Sequence, residues 1–394
     1  MAQPKTIRWG IMATGGIART FTKDLLIDPK TRGTTDIVHI VTAVASSSSV
    51  ESAKNFITDI VAPKQQAPTC LPHGSYQDLV EDPNVDIIYI ATPHSHHYQN
   101  CMLALQHGKA VLCEKAFTVN AAQAKKLYSL AREKNLFLME AVWTRYFPLS
   151  IYVREQIQSG ALGEVMRVTA DLSIGTAAES FEKTNRMVNL DLAGGCLLDL
   201  GIYSLTWIFQ TLYHTVPASE RKAPSVTSAM TLYPETKCDM NTTMVLTFPR
   251  STPKGITQSH GIATTAMNIA HDPDGHNTAG PAIRIYGTKA ELQIFGPAFR
   301  PSRTRLITRH STSSTPTPTS TTTTLDFPFP GSGHGMFWEA DEAARCLLDG
   351  KLESEGLTWE ESTVIMEVMD QVREQGGLRY PEEIESLEWP LELK

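Results

Sequence analysis

Over roughly the first 145 residues, short apolar runs alternate with longer amphipathic stretches, and this alternation limits what the chain can become more than any single motif does. The runs are "IRWGIMA", "IVTAVAS", "VDIIYIATP", "KAVLCEK" and "LFLMEAV", and periodic segments such as "AAQAKKLYSLAREKN" separate them. Continuous apolar runs suit strands that are covered on both faces, and parallel strands need a helix-length crossover between them. The expectation for residues 1–145 is therefore an α/β domain made of βαβ units on a parallel sheet.

The character changes after Pro148. Strand-like segments appear at "EVMRVTADLSI", "NTTMVLTFP", "GIATTAMNIA", "AIRIYG" and "AELQIF", with one apolar helix, "GGCLLDLGIYSLTWIFQTLYH", among them. Residues 146–394 read as a second, α+β domain. Its closing helical patterns, "FWEADEAARCLLDG" and "WEESTVIMEVMDQVREQGG", should pack back on the body of the protein. The run "STSSTPTPTSTTTT", residues 311–324, has nothing with which to build a core and is expected to be a mobile surface loop.

Composition narrows the function classes. With 394 residues, 41% of them hydrophobic, the chain can bury a large core in two domains. Its 42 acidic against 35 basic residues give a net charge of -7, and no Lys/Arg block stands out, so a nucleic-acid partner is not expected. The six cysteines form no CxxC pair and no regular framework, which suits reduced thiols in a cytoplasm. No signal-type run opens the chain and no window offers about 18 uninterrupted apolar residues, so no membrane span is expected.

The first strand leads into "ATGGIA", residues Ala13, Thr14, Gly15, Gly16, Ile17 and Ala18. Glycines at a strand-to-helix turn let backbone N–H groups approach a pyrophosphate at the helix N-terminus. The pattern is weaker than GxGxxG, but it stands at the first βα junction, where a dinucleotide would bind. At the end of the next strand an NAD enzyme usually has an acid for the ribose 2'-hydroxyl. Here the chain has Ser46, Ser47, Ser48 and Ser49, which favours a 2'-phosphate and hence NADP; a plain polar turn is the other reading. Thr92 and Pro93 end the strand "VDIIYI", where open α/β sheets bind ligands. His94, His96 and His97 follow, but no carboxylate or thiolate at a suitable spacing completes a metal site, and a polar helix entry explains them more simply.

Two features carry chemistry of their own. "AVLCEKAFTVN" ends a buried strand on an adjacent acid and base, Glu114 and Lys115. Asp199 and Tyr203 stand four residues apart, on one face of an otherwise apolar helix, where an unpartnered carboxylate would be costly. A core tyrosine bonded to a local aspartate and a catalytic pair both satisfy that pattern.

The order "GIMATGGIA", "ATP", "CEKAFT", "GGCLLDLGIY" resembles the glucose-fructose oxidoreductase and inositol dehydrogenase (Gfo/Idh/MocA) family. The segments "CEKAFTV", "MEAVWTRYFP" and "GSGHGMFWEADE" are similar to its dihydrodiol and D-xylose dehydrogenase branch. The resemblance runs from about residue 5 to 385. It implies an N-terminal Rossmann domain, a C-terminal α+β domain with a large, mainly antiparallel open sheet, NADP as cofactor and a homodimer.

Carried over by position, the resemblance makes Lys115 the catalytic lysine and Asp199 the family aspartate, puts Tyr203 where many members have histidine, and sets Trp143, Arg145, His97 and Glu114 at the cofactor site. Ala13 replaces the usual first glycine, and Ala116 replaces a proline, which leaves the Lys115–Ala116 bond less restricted. The implied activity is NADP-dependent oxidation of D-xylose at C1 to the 1,5-lactone. Tyr203 would be the base, Lys115 would stabilise its phenolate across a cleft, and Asp199 would fix the cluster. A dihydrodiol dehydrogenase and a non-catalytic NADP-sensing protein are the alternatives.

Overall fold

The computed structural model describes residues 3–252, 255–310 and 319–393. Contacts divide the chain into two units, one of residues 1–146, 329–363 and 381–394, the other of 147–328 and 364–380.

The first unit opens with strands β1 (Lys5–Met12), β2 (Ile37–Ala45), β3 (Leu71–His73), β4 (Ile87–Ile90), β5 (Ala110–Glu114) and β6 (Leu138–Ala141). They form one sheet in the order β3-β2-β1-β4-β5-β6, with every pair parallel. This is the doubly wound dinucleotide-binding order. All residues of β4, β5 and β6 are buried, as expected of strands covered on both faces. The crossovers contain helices α1 (Gly16–Leu25), α2 (Val50–Phe56), α3 (Tyr76–Glu81), α4 (His94–Gln106) and α5 (Ala121–Lys134). Ser49, Ser75 and Asn120 cap α2, α3 and α5 with their own side chains, whereas α1 and α4 begin at Gly15 and Pro93 with no side-chain cap. The three-residue β3 was invisible as an apolar run because none of its residues is fully buried.

The second unit holds α6 (Pro148–Gln158), β7 (Val165–Ser173), α7 (Ile202–Leu212) and seven more strands. These are β8 (Ser225–Leu232), β9 (Asp239–Thr252), β10 (Gly255–Ala266), β11 (Ile283–Gly287), β12 (Ala290–Phe295), β13 (Arg303–His310) and β14 (Thr319–Asp326). The open sheet runs β14-β13-β12-β11-β7-β10-β9-β8, antiparallel except for the β7–β10 pair. Helix α7 packs on β7 and β10. The segment Leu190–Leu212 is long and apolar enough by composition to cross a membrane, but 94% of its most apolar window is buried inside the fold, so it reads as a core helix.

Two expectations need correction. Residues 319–324 are not a loop: they lie in β14, whose backbone pairs with β13 from Arg303↔Asp326 to His310↔Thr319 while every side chain stays exposed. Ladder hydrogen bonds and β-branched threonines suffice for an edge strand that buries nothing. The remainder of that expected loop, 311–318, lies outside the described residues. The single boundary near residue 145 is also too simple, because the chain returns to the first unit with α8 (Met336–Leu348), the start of α9 (Trp359–Gly376) and α10 (Glu382–Glu385).

Buried polar contacts secure that return. Asp24 accepts from the N–H groups of His334, Gly335 and Met336, closing the N-terminus of α8. Further along α8, Asp341 takes two hydrogen bonds of 2.7 Å from Arg32, one of 2.9 Å from Thr34, and lies 2.8 Å from His39 Nε2. The other His39 nitrogen accepts from Trp9 Nε1 at 3.0 Å. The last residues are laced on by Tyr98, Gln99 and Gln123, which donate to the carbonyls of Leu387, Glu388 and Ile384.

Arg32 and His39 hold the Asp341 carboxyl down at about 2, against the opposing effect of burial. A depressed carboxylate stabilises the fold above its unfolded value near 3.8 and loses that contribution as pH falls toward 2. Asp341→Asn leaves the buried Arg32 without its counter-charge and should cost about 3 kcal/mol at pH 7 in urea unfolding. The deficit relative to wild type should narrow as pH drops from about 4 toward 2; a deficit independent of pH would remove this account.

Candidate active site

In the first unit the ends of β1, β2, β4 and β5 carry the residues singled out above. Ala13 has φ 85°, a left-handed conformation that glycine adopts freely and alanine tolerates at a cost of about 1 kcal/mol. Its N–H is tied to Ala45 O at 3.0 Å, which joins the end of β1 to the end of β2. Thr14 is half-buried, whereas Gly15, Gly16 and Ile17 are exposed, and a Cβ on either glycine would meet nothing within 4 Å. The uncapped first turn of α1 thus offers backbone donors to an anion.

The serine run divides its tasks. Ser49 caps α2 by accepting from Ser52 N at 3.2 Å, and Ser46, which is buried, lies 2.9 Å from Ser48 Oγ. Ser47 is exposed and hydrogen-bonds the Tyr76 phenol. The nearest carboxylate in sequence, Glu51, sits 3.4 Å from Lys54. No acid occupies the strand end itself, so the residues present suit a cofactor with a 2'-phosphate.

Beyond β4, Thr92 accepts from Asn100 at 3.1 Å and Pro93 starts α4. His97 is fully buried, its Nε2 2.9 Å from Thr92 O and its Nδ1 3.0 and 3.2 Å from the carbonyls of Ala116 and Phe117. Burial pushes its pKa down to about 4, so it is neutral. Both nitrogens face backbone, so His97 joins the end of β4 to the turn after β5.

That turn carries Glu114 and Lys115. Glu114 is buried, accepting from the Tyr89 hydroxyl and, at 3.2 Å, from the Lys115 N–H. It therefore locks the strand end. Lys115 is half-buried, and its carbonyl lies 3.2 Å from His94 Nε2. The Lys115–Ala116 peptide is cis.

Trp143 and Arg145 sit in a 3-10 turn, both buried. Arg145 donates to Glu361 at 2.8 Å and to Gly356 O at 3.0 and 2.7 Å, and neither partner of the ion pair has measurable side-chain exposure. A guanidinium whose fork closes on a carbonyl and a carboxylate is structural.

In the second unit, Asp199 lies in a π-helical turn (Leu197–Gly201) and Tyr203 in the first turn of α7. Such turns are rare and occur often at functional sites. Asp199 and Tyr203 are 7% and 6% exposed, and the Tyr203 ring lies 5.9 Å from that of Phe299. Asp199 finds the partner its burial demands in Arg186, 3.0 Å away. The π turn is fixed by Asp239, which accepts from Leu197 N at 2.7 Å and Cys196 Sγ at 3.0 Å. Gly195, at φ 125°, allows this: a Cβ there would fall 1.9 Å from Asp239 Oδ1.

Sequence reasoning missed Arg186 and Asp239, which lie 13 residues before and 40 after Asp199 and share no periodicity with it. The need of a buried acid for a cation was the available signal for Arg186.

Comparison with known proteins identifies the family. Residues 7–142 match a model described as an oxidoreductase family with an NAD-binding Rossmann fold, and residues 151–293 match the GFO/IDH/MocA C-terminal domain. A D-xylose 1-dehydrogenase (NADP(+)) of Hypocrea jecorina is 52% identical, over 96% of this chain and 94% of that protein. The human trans-1,2-dihydrobenzene-1,2-diol dehydrogenase is 32% identical, over 96% and 99%. A 3-ketoreductase of Actinomadura kijaniata, solved with NADP and TDP-benzene, shares the fold with a TM-score of 0.70 at 22% identity, covering 94% of this chain and 98% of its own. Two family models matched in order and a relative more than half identical along nearly its full length place this chain in the Gfo/Idh/MocA family of oxidoreductases.

Proposed function

We propose that the chain is an NADP-dependent sugar dehydrogenase that oxidises D-xylose at C1 to D-xylono-1,5-lactone. The observation that carries the substrate is the 52% identity, over 96% of the chain, to a D-xylose 1-dehydrogenase (NADP(+)). Relatives that act on a dihydrodiol are more distant, at 32%. A purely sensing role is disfavoured because it needs neither a lysine at the end of β5 nor a tyrosine beside a buried acid.

Thr14 to Ile17 would hold the pyrophosphate through backbone donors, Ser46 and Ser47 would face the 2'-phosphate, and Thr92 and Pro93 would border the nicotinamide. Bound NADP supplies the hydride acceptor. Tyr203, as phenolate, takes the proton from the C1 hydroxyl, so the substrate loses a hydride and a proton and becomes the lactone. A phenol that titrates near 10 is a poor base at neutral pH, so the reaction needs a positive charge that favours the ionised form, and the lysine that the family resemblance makes catalytic is Lys115. Asp199, steadied by Arg186, accepts from a substrate hydroxyl and fixes its orientation.

For assembly, a cytoplasmic homodimer is the reading. The face of the eight-stranded sheet opposite α7 carries Val245 paired with Ile262, and Tyr286 flanked by Arg167 and Arg284 at 4.6 and 4.9 Å. Val245 is 41% exposed, and a twofold partner would cover such a mixed apolar and aromatic surface. Light scattering at micromolar concentration should give twice the 43.4 kDa chain mass; the chain mass itself would dismiss the dimer.

Two further outcomes test the chemistry. Ser47→Asp puts a carboxylate where the 2'-phosphate is read, and should lower the kcat/KM preference for NADP over NAD about tenfold or more. Equal efficiency of the wild type with both cofactors would end that assignment. Tyr203→Phe should reduce kcat on D-xylose by about 10² to 10⁴ with NADP binding preserved. In a panel of pentoses, hexoses and a trans-dihydrodiol, wild-type turnover on the diol above that on every sugar would transfer the reading to the diol. Wild-type kcat in a folded Tyr203→Phe protein would exclude Tyr203 as the base.

A further inference from the structure

We propose that Glu140 is a positioning residue for the reaction: through the Phe117 N–H it anchors the turn that carries Lys115, and the state of its carboxyl sets how firmly the turn is held. The inference rests on the reading above, in which Lys115 acts in catalysis.

Glu140 stands on β6, is 2% exposed, and uses both carboxyl oxygens. Oε1 accepts from Phe117 N at 3.0 Å, two residues past Lys115. Oε2 accepts from Ser362 Oγ at 2.5 Å, and that hydroxyl in turn accepts from the Tyr128 phenol at 2.8 Å. The Tyr128 ring is stacked between Phe117, 4.8 Å away at 14°, and Trp359, 5.3 Å away at 20°. Phe117 is thus gripped twice from one side, by its N–H and by its ring. From the other side His94 and His97 approach the carbonyls of Lys115, Ala116 and Phe117. Lys115 itself is half-buried on a turn held through the carbonyls of Lys115, Ala116 and Phe117 and the N–H groups of Lys115 and Phe117.

A buried N–H that loses its acceptor costs more than the bond was worth, and a charged acceptor holds it roughly twice as strongly as a neutral one. The grip on Phe117 is therefore firm with Glu140 ionised and weaker with it protonated. Burial pushes this carboxyl up to about 7; Ser362, the Phe117 N–H and Arg145 favour its charge, and Glu114 opposes it. The other titratable groups facing it, Tyr128 on α5 and Cys113 on β5, are driven well above their ordinary values by burial and stay neutral, so they do not titrate in this range. As pH rises through about 7 the turn should tighten, a step separate from the ionisation of Tyr203. A misplacement of the order of 1 Å in a reacting group costs up to about a hundredfold in rate, so this anchor bears on turnover without touching substrate.

The test compares wild type, Glu140→Gln, Ser362→Ala and Lys115→Met, with kcat and KM for D-xylose and the NADP dissociation constant measured from pH 5.5 to 9.5. Wild-type kcat should rise through a limb near pH 7. Glu140→Gln should lose that limb and run about tenfold or more slower at its plateau, with NADP affinity within about twofold of wild type. Ser362→Ala removes a hydrogen bond that favours the charged form, so its limb should move to higher pH. Hydrogen exchange at the Phe117 amide, corrected for intrinsic rate, should show less protection in Glu140→Gln and in wild type below pH 7. An unchanged kcat profile in both Glu140→Gln and Ser362→Ala overturns the proposal, as does unchanged protection of the amide. If Glu140→Gln does not fold, the Ser362→Ala limb and wild-type exchange decide. A wild-type protein inactive on D-xylose, or fully active Lys115→Met, overturns the reading of function and with it the catalytic role of the anchor; the exchange result then shows whether the anchor exists as a structural device.

Discussion

Parallel pairing is the constraint from which the first unit follows. Six strands that run the same way bring their carboxyl ends to one edge of the sheet, and with them Ala13, Ser46, Thr92 and Lys115, which are far apart in sequence. At that edge α2, α3 and α5 are capped by their own side chains, whereas α1 and α4, which start beside Thr14 and Thr92, are not. A glycine-lined turn without a cap leaves polar hydrogens for a ligand to satisfy. The edge strand β6 is protected in its turn, since Leu138 N donates to Leu352 O and Leu138 O accepts from Trp359 Nε1.

Burial of charge then divides residues that sequence places side by side. Glu114 and Lys115 are neighbours, but the acid turns inward to Tyr89 and the base remains half-buried. Arg145, two residues past Trp143, is gripped by Glu361 and Gly356. Each buried ion is acceptable only because it is paired and hydrogen-bonded. Glu339 on α8 is an instructive contrast: it is fully buried, neither carboxyl oxygen has a hydrogen-bond partner, and burial together with Glu114 and Asp24 raises its pKa well above the ordinary value, which keeps it neutral.

The second unit shows the same economy around Asp199. The turn holding it is widened to a π turn, anchored from β9 by Asp239, and made possible by the absence of a side chain at Gly195. Arg186 then balances the carboxylate from a loop. None of these three is part of a recognisable spacing, yet Asp199 depends on all of them.

What the sequence determined by itself was local. Short apolar runs located five of the six parallel strands, because strands covered on both faces are apolar throughout, and strand-like segments located five of the eight in the open sheet. The strand ends that carry Lys115, Thr92 and the serine run could be read in the same way, as could the aspartate and tyrosine of the apolar helix. The edge strands β3, β8 and β14, and β13 beside β14, bury too little to leave a pattern, and β14 resembled a loop for that reason. Only the tertiary structure decided which polar residue each buried group would meet. His97 faces three carbonyls, Arg145 meets Glu361, Glu140 holds the Phe117 N–H and Asp341 binds Arg32. Such pairings join residues between 5 and more than 300 positions apart through contacts of about 3 Å, and periodicity carries no information about which distant partner satisfies a buried charge.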